Sequence, residues 1–312
     1  MSHADSRKVV LAALAGNVAI AACKLAVALL TRSTATLAEA VHSFADTGNQ
    51  ALLLVGMGLA ARPADERYPF GRASERYFWP FVVALLLFSV GGAFAVFEGI
   101  EHIVHPPSDP GGRLWSLAVL AVSLAIEALS FRVALGEFRS LAAGRSLRET
   151  IRDVRDPTIP LVLAEDATAM AGLVLALLAV TASAWTGQPF WDPLGSLVIG
   201  VLLCAVALLI AWVTHGLLIG ESATAEDRAR VRELTERVEG VERVTQLLTM
   251  HLGPDVVVLA MKIAFAPTLT VRELEEVTNR IEASIRGAMP QMTKIFVEAD
   301  SQGDMRGIAT RA

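Results

Sequence analysis

The chain has 312 residues, 54% of them hydrophobic, and a mean hydropathy of +0.51; soluble domains are roughly 45–50% apolar, and here the excess is gathered into blocks. A net charge of −5, with basic residues scattered between those blocks, gives no footprint for nucleic acid. The only two cysteines, Cys23 and Cys204, both lie inside apolar blocks, which excludes a disulfide framework and a CxxC metal site and reads as small core residues.

Six blocks, 9–30, 33–61, 78–100, 114–136, 159–185 and 191–219, are each mainly apolar; about 20 such residues suffice to cross roughly 30 Å of hydrocarbon as a helix. The first follows Arg7 and Lys8, but it is too long for a signal peptide and lacks a small-x-small cleavage site, so it is expected to be retained as a span. It holds Asn17 and Lys24, seven positions apart and therefore on one face. The second block carries Glu39, His42, Asp46 and Asn49 at i, i+3, i+7 and i+10. At about 100° per residue these fall within an arc of about 80°, a single polar stripe. A charged loop with a Pro-Phe-Gly turn follows at 62–77, and the third and fourth blocks are joined by His-Pro-Pro-Ser-Asp-Pro-Gly-Gly at 105–112. The fourth block contains Glu127. A basic stretch at 137–157 ends at Pro157; the fifth block then carries Glu165 and Asp166, and the sixth opens with Trp191-Asp192-Pro193-Leu194-Gly195-Ser196.

With the N-terminus inside, the inner segments hold Arg7, Lys8, Arg62, Arg67, Arg72, Arg76, Arg139, Arg145, Arg148, Arg152 and Arg155, against Arg32 and Arg113 outside. That bias places both termini in the cytoplasm. Arginine outnumbers lysine 23 to 4, a composition suggestive of a GC-rich bacterial gene. Together with an N-terminus unlike a transit peptide, it gives a bacterial inner membrane as the expected location.

Beyond Gly220 the pattern becomes that of a soluble domain. A helix is expected over 224–239, with Val231, Leu234 and Val238 on one stripe; strands over 244–251 and 256–265; a helix over 271–288 with Leu274, Val277, Ile281 and Ile285 inward; and a strand over 294–298. The fold expected is an α-helical membrane protein of six transmembrane helices at 1–220, with a small C-terminal α/β ferredoxin-like (α-β-β-α-β) cytoplasmic domain at 221–305 and a tail at 306–312.

Ionisable groups in hydrocarbon cost roughly 2.5–3.5 kcal/mol each on insertion scales, so they face cavities or mark sites. His42 and Asp46 sit one turn apart, and an imidazole nitrogen with a carboxylate oxygen is an ordinary ligand pair for a divalent first-row metal. Glu165 and Asp166 supply a second acidic locus, of which only one is expected to face His42 and Asp46, because adjacent helical residues point about 100° apart. Several anionic groups in low dielectric require a cation or protons to offset them. A purely structural pairing of these acids with Lys24 or Arg132 is the alternative.

The HxxxD pair His42 and Asp46, the acidic fifth helix, the Phe-Gly loop after the second helix and the Asp-Pro-Leu-Gly-Ser opening of the sixth together resemble the cation diffusion facilitator family. The resemblance runs from about residue 8 to 302, and the segment AEAVHSFADTGNQALL is most similar to the branch containing the mitochondrial zinc exporter of animals. It implies a homodimer in the lipid bilayer that exports a cytoplasmic divalent cation in exchange for protons, with His42, Asp46 and Asp166 as metal ligands and no prosthetic group. Zn²⁺ is the first cargo it suggests, with Mn²⁺ or Fe²⁺ as alternatives.

Three departures from the family pattern bear on the site. Val162 stands where relatives carry a histidine or aspartate, which leaves the fourth ligand open among Glu165, Asn49, Asn17 and water, and fewer nitrogen ligands favour Mn²⁺ or Fe²⁺. Tyr68 and Arg72 replace the loop histidines of bacterial zinc exporters. Thr245 and Met261 replace histidines of the soluble domain's zinc cluster, where only Glu298 and Asp300 keep ligand chemistry. The soluble domain is therefore expected to serve dimerisation first.

Rival readings fare worse. Neither a G-x-S-x-G elbow nor an H-E-x-x-H motif is present, and six scattered histidines do not make a di-iron enzyme, so an enzyme is not expected. A membrane-bound metal sensor or scaffold, which binds metal and recruits partners without transport, is the remaining alternative.

Overall fold

The computed structural model describes residues 3–31, 34–105, 113–142, 156–188 and 190–300. They divide into two compact units, one formed by the long apolar helices up to His215 and the other by Gly216 onward together with Arg72–Ser74.

The first unit is all helical: α1 (His3–Thr31), α2 (Thr34–Ala60), α3 (Glu75–Leu86), a π-helical segment (Leu87–Ala93), α4 (Phe94–Val104), α5 (Arg113–Ala142), α6 (Thr158–Thr186) and α7 (Trp191–Leu218). Among the described residues, five stretches are long and apolar enough to cross a membrane: Arg7–Val27, Glu75–Val104, Leu117–Ser140, Thr158–Thr186 and Trp191–Leu218. The sixth expected span is α2. Its 27 residues give a helix of about 40 Å at 1.5 Å per residue. It is not among the five apolar stretches; the polar residues of its first half dilute the apolar run.

The third span is not the continuous α-helix its sequence suggests. Leu87–Ala93 winds as a π-helix between α3 and α4. Its glycines allow a backbone-to-backbone contact with α7: a Cβ on Gly92 would stand 2.5 Å from Cys204 Sγ and 2.9 Å from the Cys204 nitrogen, and one on Gly200 would stand 2.6 Å from the Val96 nitrogen. No real Cβ tolerates such distances, so the two helices approach this closely because neither residue has a side chain. Cys204 is half-buried in this contact, whereas Cys23 is exposed on α1, against the expectation of a core position. A thiol costs little on an apolar helix surface.

A buried ion pair ties two of the spans together. Arg76, in the first turn of α3, donates to Asp156 Oδ2, and both side chains are almost fully buried. Asp156 Oδ1 in turn accepts the Thr158 backbone N–H at 3.1 Å, at the start of α6, where a carboxylate also offsets the helix dipole.

The second unit follows the α-β-β-α-β order: α8 (Ala225–Glu236), β1 (Val241–Gly253), β2 (Val256–Phe265), α9 (Val271–Ala288) and β3 (Met292–Ala299). The sheet order is β1-β2-β3, with β1 antiparallel and β3 parallel to β2. Alternate residues of the central strand, Val257, Leu259, Met261 and Ile263, are buried against Val277, Ile281 and Ile285 of α9 and Val231 of α8. The four-residue spacing on α9 meets the two-residue spacing on β2. Thr270 closes the N-terminus of α9 with a capping box: its hydroxyl accepts the Glu273 N–H at 3.4 Å, and Glu273 Oε2 accepts the Thr270 N–H at 2.7 Å.

Two outcomes follow from that cap. Thr270→Ala should cost about 1 kcal/mol, read as an earlier unfolding of the soluble unit in thermal melts of the full chain. The backbone N–H and then the hydroxyl of Thr270 hold the Glu273 carboxyl below its ordinary value. A lowered folded value means that its contribution is full above the ordinary carboxylate pKa of 4.5 and fades as the pH falls through the lowered one. Protection against hydrogen exchange in the first turn of α9, taken relative to the intrinsic rate at each pH, should therefore hold down to below the ordinary pKa and fall only under more acid conditions; a loss of protection setting in near neutral pH would refute the cap's role.

Candidate functional site

Polar residues of α1, α2, α5 and α6 converge on a cavity of about 180 Å³ that Leu87 of the π-helical segment and Ile199 and Leu203 of α7 also line. Asn17 and Lys24 of α1, Ser43 and Asp46 of α2, Ser123 and Glu127 of α5, and Glu165 and Thr168 of α6 all line it. Helical period explains the convergence. Asn17 and Lys24 are seven apart, Ser123 and Glu127 four apart, and Glu165 and Thr168 three apart, so each helix presents one polar strip. Lys24, Glu127 and Glu165 are each under a tenth exposed.

A chain of side-chain hydrogen bonds closes one wall. Asn17 Nδ2 donates to Gln50 Oε1 at 3.3 Å; Gln50 Nε2 donates to Glu165 Oε2 at 2.9 Å; Asn49 Nδ2 donates to Glu165 Oε1 at 3.1 Å. The amide orientations are mutually fixed. Turning Gln50 over would set its carbonyl against the carboxylate and its NH₂ against that of Asn17, producing two like-polarity contacts in place of two hydrogen bonds.

Asp166, adjacent to Glu165, points elsewhere. It is 1% exposed and accepts the Ser130 hydroxyl of α5 on Oδ2 at 2.9 Å. Both acids of α6 thus face the helical interior, Glu165 towards the cavity and α2, Asp166 towards α5. The side chains of Glu39 and His42 lie outside the described residues. Val162, the position one turn before Asp166, is fully buried in the apolar core with Ile159 and Leu161.

The electrostatics of the cavity are one-sided. Asp166, Asp46 and Lys24 all act on the charge of Glu127, while Asp46, Asp166 and Glu127 act on that of Glu165. Among the described residues, Asp46, Glu127 and Glu165 line the cavity with Lys24, and several acids gathered in a low dielectric are favoured only when positive charge offsets them. No group of three His, Cys, Asp or Glu side chains close enough to hold a metal ion occurs among the described residues.

The soluble unit spends its candidate ligands on other partners. Asp300 Oδ2 accepts the Thr245 hydroxyl at 2.7 Å, Glu298 pairs with Lys262 at 3.2 Å, and Met261 is a core residue. His251 is buried on β1, with Nδ1 3.3 Å from the Gly253 carbonyl.

Sequence reasoning singles out Asn17, Lys24, Asp46, Asn49, Glu127, Glu165 and Asp166, and misses Gln50 and Ser130. Gln50 stands one turn after Asp46 and is findable from the stripe; Ser130, three residues after Glu127, is findable from the polar face of α5.

Comparison with known proteins bears on the same segments. Residues 10–219 match the family model for the cation efflux transmembrane domain, and residues 223–302 that for the cation efflux protein cytoplasmic domain. The chain is 33% identical over 271 residues to the mitochondrial proton-coupled zinc antiporter SLC30A9 of Xenopus laevis, covering 86% of this chain and 48% of that protein. It is 30% identical over 301 residues to metal tolerance protein C4 of Arabidopsis thaliana, covering 96% of this chain and 64% of that one. A more distant relative, the manganese efflux system protein MneP of Bacillus subtilis, is 20% identical over 295 residues, 95% of this chain and 96% of MneP. The chain thus spans about half to two thirds of the length of the first two.

Proposed function

The chain belongs to the cation efflux family, and from that premise we propose that it is a secondary transporter exporting a divalent transition-metal cation from the cytoplasm in exchange for protons. The observation that carries this reading is the cavity lined by Asp46 together with the buried Glu127 and Glu165. A membrane protein retains so much buried negative charge only where a cation or protons visit it.

On this reading His42, Asp46 and Asp166 bind the cargo. Asp46 lines the cavity, and Asp166 accepts a single hydrogen bond from the described residues, which leaves its carboxylate with coordination capacity. Because Val162 packs in the core, no fourth ligand comes from that position, and Glu165, Asn49, Asn17 or water completes the shell. Zn²⁺ is the first cargo: it binds N/O sites more tightly than Mn²⁺ or Fe²⁺, and one relative is named a zinc antiporter. An oxygen-rich shell keeps Mn²⁺ and Fe²⁺ as alternatives, and another relative is named for manganese efflux. Ligands must be deprotonated to bind metal, so cargo arriving from the cytoplasm expels protons, and protons from the outer side displace the cargo. Histidine, with an unperturbed pKa of about 6.5, suits this exchange.

The protein acts as a homodimer in a bacterial inner membrane, with both termini and the soluble domain in the cytoplasm. The match of residues 223–302 to a cytoplasmic domain and the arginine bias of the inner segments support that placement.

The test is metal uptake into proteoliposomes under an imposed pH gradient, comparing Zn²⁺, Mn²⁺, Fe²⁺, Co²⁺ and Cd²⁺ for the natural protein and Asp46→Ala. Proton-dependent flux that vanishes in the variant is expected. Flux surviving in Asp46→Ala at the natural rate would refute the site assignment, and tight binding without flux of any ion would favour a sensor.

A further inference from the structure

Resting on the reading that the cavity carries the cargo, we propose that Glu165 is a positioning residue: Asn49 and Gln50 hold its carboxylate as a latch between α2 and α6 that fixes Asp46 relative to Asp166, and Glu165 itself stays outside the metal shell.

The two acids of α6 differ in how the protein engages them. Glu165 receives one amide donor on each oxygen, from Asn49 at 3.1 Å and from Gln50 at 2.9 Å. Among the described residues, Asp166 receives one hydroxyl, on Oδ2. The two donors to Glu165 are consecutive residues of α2, so they straddle the carboxylate and resist both rotation and sliding of one helix past the other. Gln50 is fully buried, and its carbonyl is engaged in turn by Asn17 of α1, so the latch extends over three helices.

A metal drawn onto Glu165 would have to displace or strain these amides, and a buried amide left without its acceptor is costly. A metal on Asp166 leaves the Ser130 bond in place and uses an oxygen that accepts no hydrogen bond from the described residues. Asp46 lies three and four residues before Asn49 and Gln50, on the same side of α2. Whatever fixes the two amides against Glu165 therefore fixes the approach of Asp46 to α6.

The arrangement permits a swap. In the double variant Glu165→Gln with Gln50→Glu, position 50 supplies the carboxylate. That carboxylate accepts from the side-chain NH₂ now carried at position 165 and from Asn17, while the side-chain carbonyl at position 165 accepts from Asn49, so every donor regains an acceptor. The single variants differ: Gln50→Glu places two carboxylates together, whereas Glu165→Gln is accommodated when Gln50 and Asn17 both turn their amides over.

The measurements are Co²⁺ binding to the purified full-length protein, followed by the cobalt visible spectrum, and metal flux in proteoliposomes. Gln50→Glu should lose about tenfold or more in flux, Glu165→Gln much less, and the swap should return to within about threefold of the natural protein. The swap's cobalt spectrum should superimpose on the natural one, since the shell is unchanged. A swap that stays as impaired as the worse single variant, or binds Co²⁺ with a shifted spectrum, would overturn the latch and put Glu165 in the shell. If the single variants do not fold, the swap's spectrum decides alone. Asp46→Asn is the control for the underlying reading: if it binds and transports normally the cargo site lies elsewhere, an outcome distinct from failure of the swap.

Discussion

Arg76→Ala should destabilise the protein by about 3–5 kcal/mol, because it takes a buried charged partner away from the buried Asp156 carboxylate. Both members of the Arg76–Asp156 pair are buried, at 3% and 6% side-chain exposure, so solvent does little to screen the loss. Asp156 has a second task, accepting the Thr158 N–H at the head of α6, so a change in its pairing also loosens that helix start. Asp166 lies ten residues further along, about 15 Å at 1.5 Å per residue, and a shift at the head of α6 is carried rigidly to it. The double variant Arg76→Met with Asp156→Asn removes both charges, while the amide carbonyl introduced at position 156 keeps an acceptor for Thr158. It should recover most of the loss, as replacing a buried pair by neutral groups often does. Thermal unfolding in detergent separates the three proteins. A single variant as stable as the natural chain would mean that the pair contributes nothing net.

The legible parts of this molecule are those governed by one period. The stripe through Asp46 and Asn49 is readable because 3.6 residues per turn fixes it without reference to any neighbour, and the strips of α1 and α6 are readable for the same reason. Likewise, alternation along Val257, Leu259, Met261 and Ile263 and the four-residue spacing of Val277, Ile281 and Ile285 mark the soluble core. Pairings between helices are not legible. Arg76 reads as one more inner-loop arginine, and nothing local distinguishes it as buried against Asp156, 80 residues away. The turning of Glu165 to α2 and of Asp166 to α5 depends on how α2, α5 and α6 pack, which spacing along one helix does not determine. The π-helical Leu87–Ala93 hides for another reason. Its composition is that of an ordinary apolar span, and the feature that matters is the missing Cβ of Gly92 against Cys204. The span status of α2 is obscured by its own polar stripe, which dilutes the apolar run.

Lys24→Met should tighten divalent-metal binding by about 10- to 100-fold while slowing release. Lys24 is 5% exposed, lines the cavity with Asp46 and Glu165, and acts on the charge of Glu127. It is thus a tethered cation beside the acids that the cargo must satisfy. At an effective dielectric of about 20, a unit charge and a divalent ion about 10 Å apart repel by about 3 kcal/mol. Relaxation of water and neighbouring dipoles leaves part of that, enough for one or two decades of affinity. The same ammonium offsets part of the negative charge when no metal is bound, so its removal also makes the empty cavity less stable, and metal should protect the variant against heat more than it protects the natural protein. Because export requires letting go, tighter binding should appear with lower maximal flux and half-saturation at lower metal concentration. Lys24→Arg, which keeps the charge, should behave like the natural protein in affinity. A purely structural lysine predicts the opposite pattern: Lys24→Met would bind metal more weakly and melt earlier, with or without metal. Titration calorimetry with Zn²⁺ and Mn²⁺ on the three proteins therefore separates an electrostatic role for Lys24 from a packing role by the sign of the change alone.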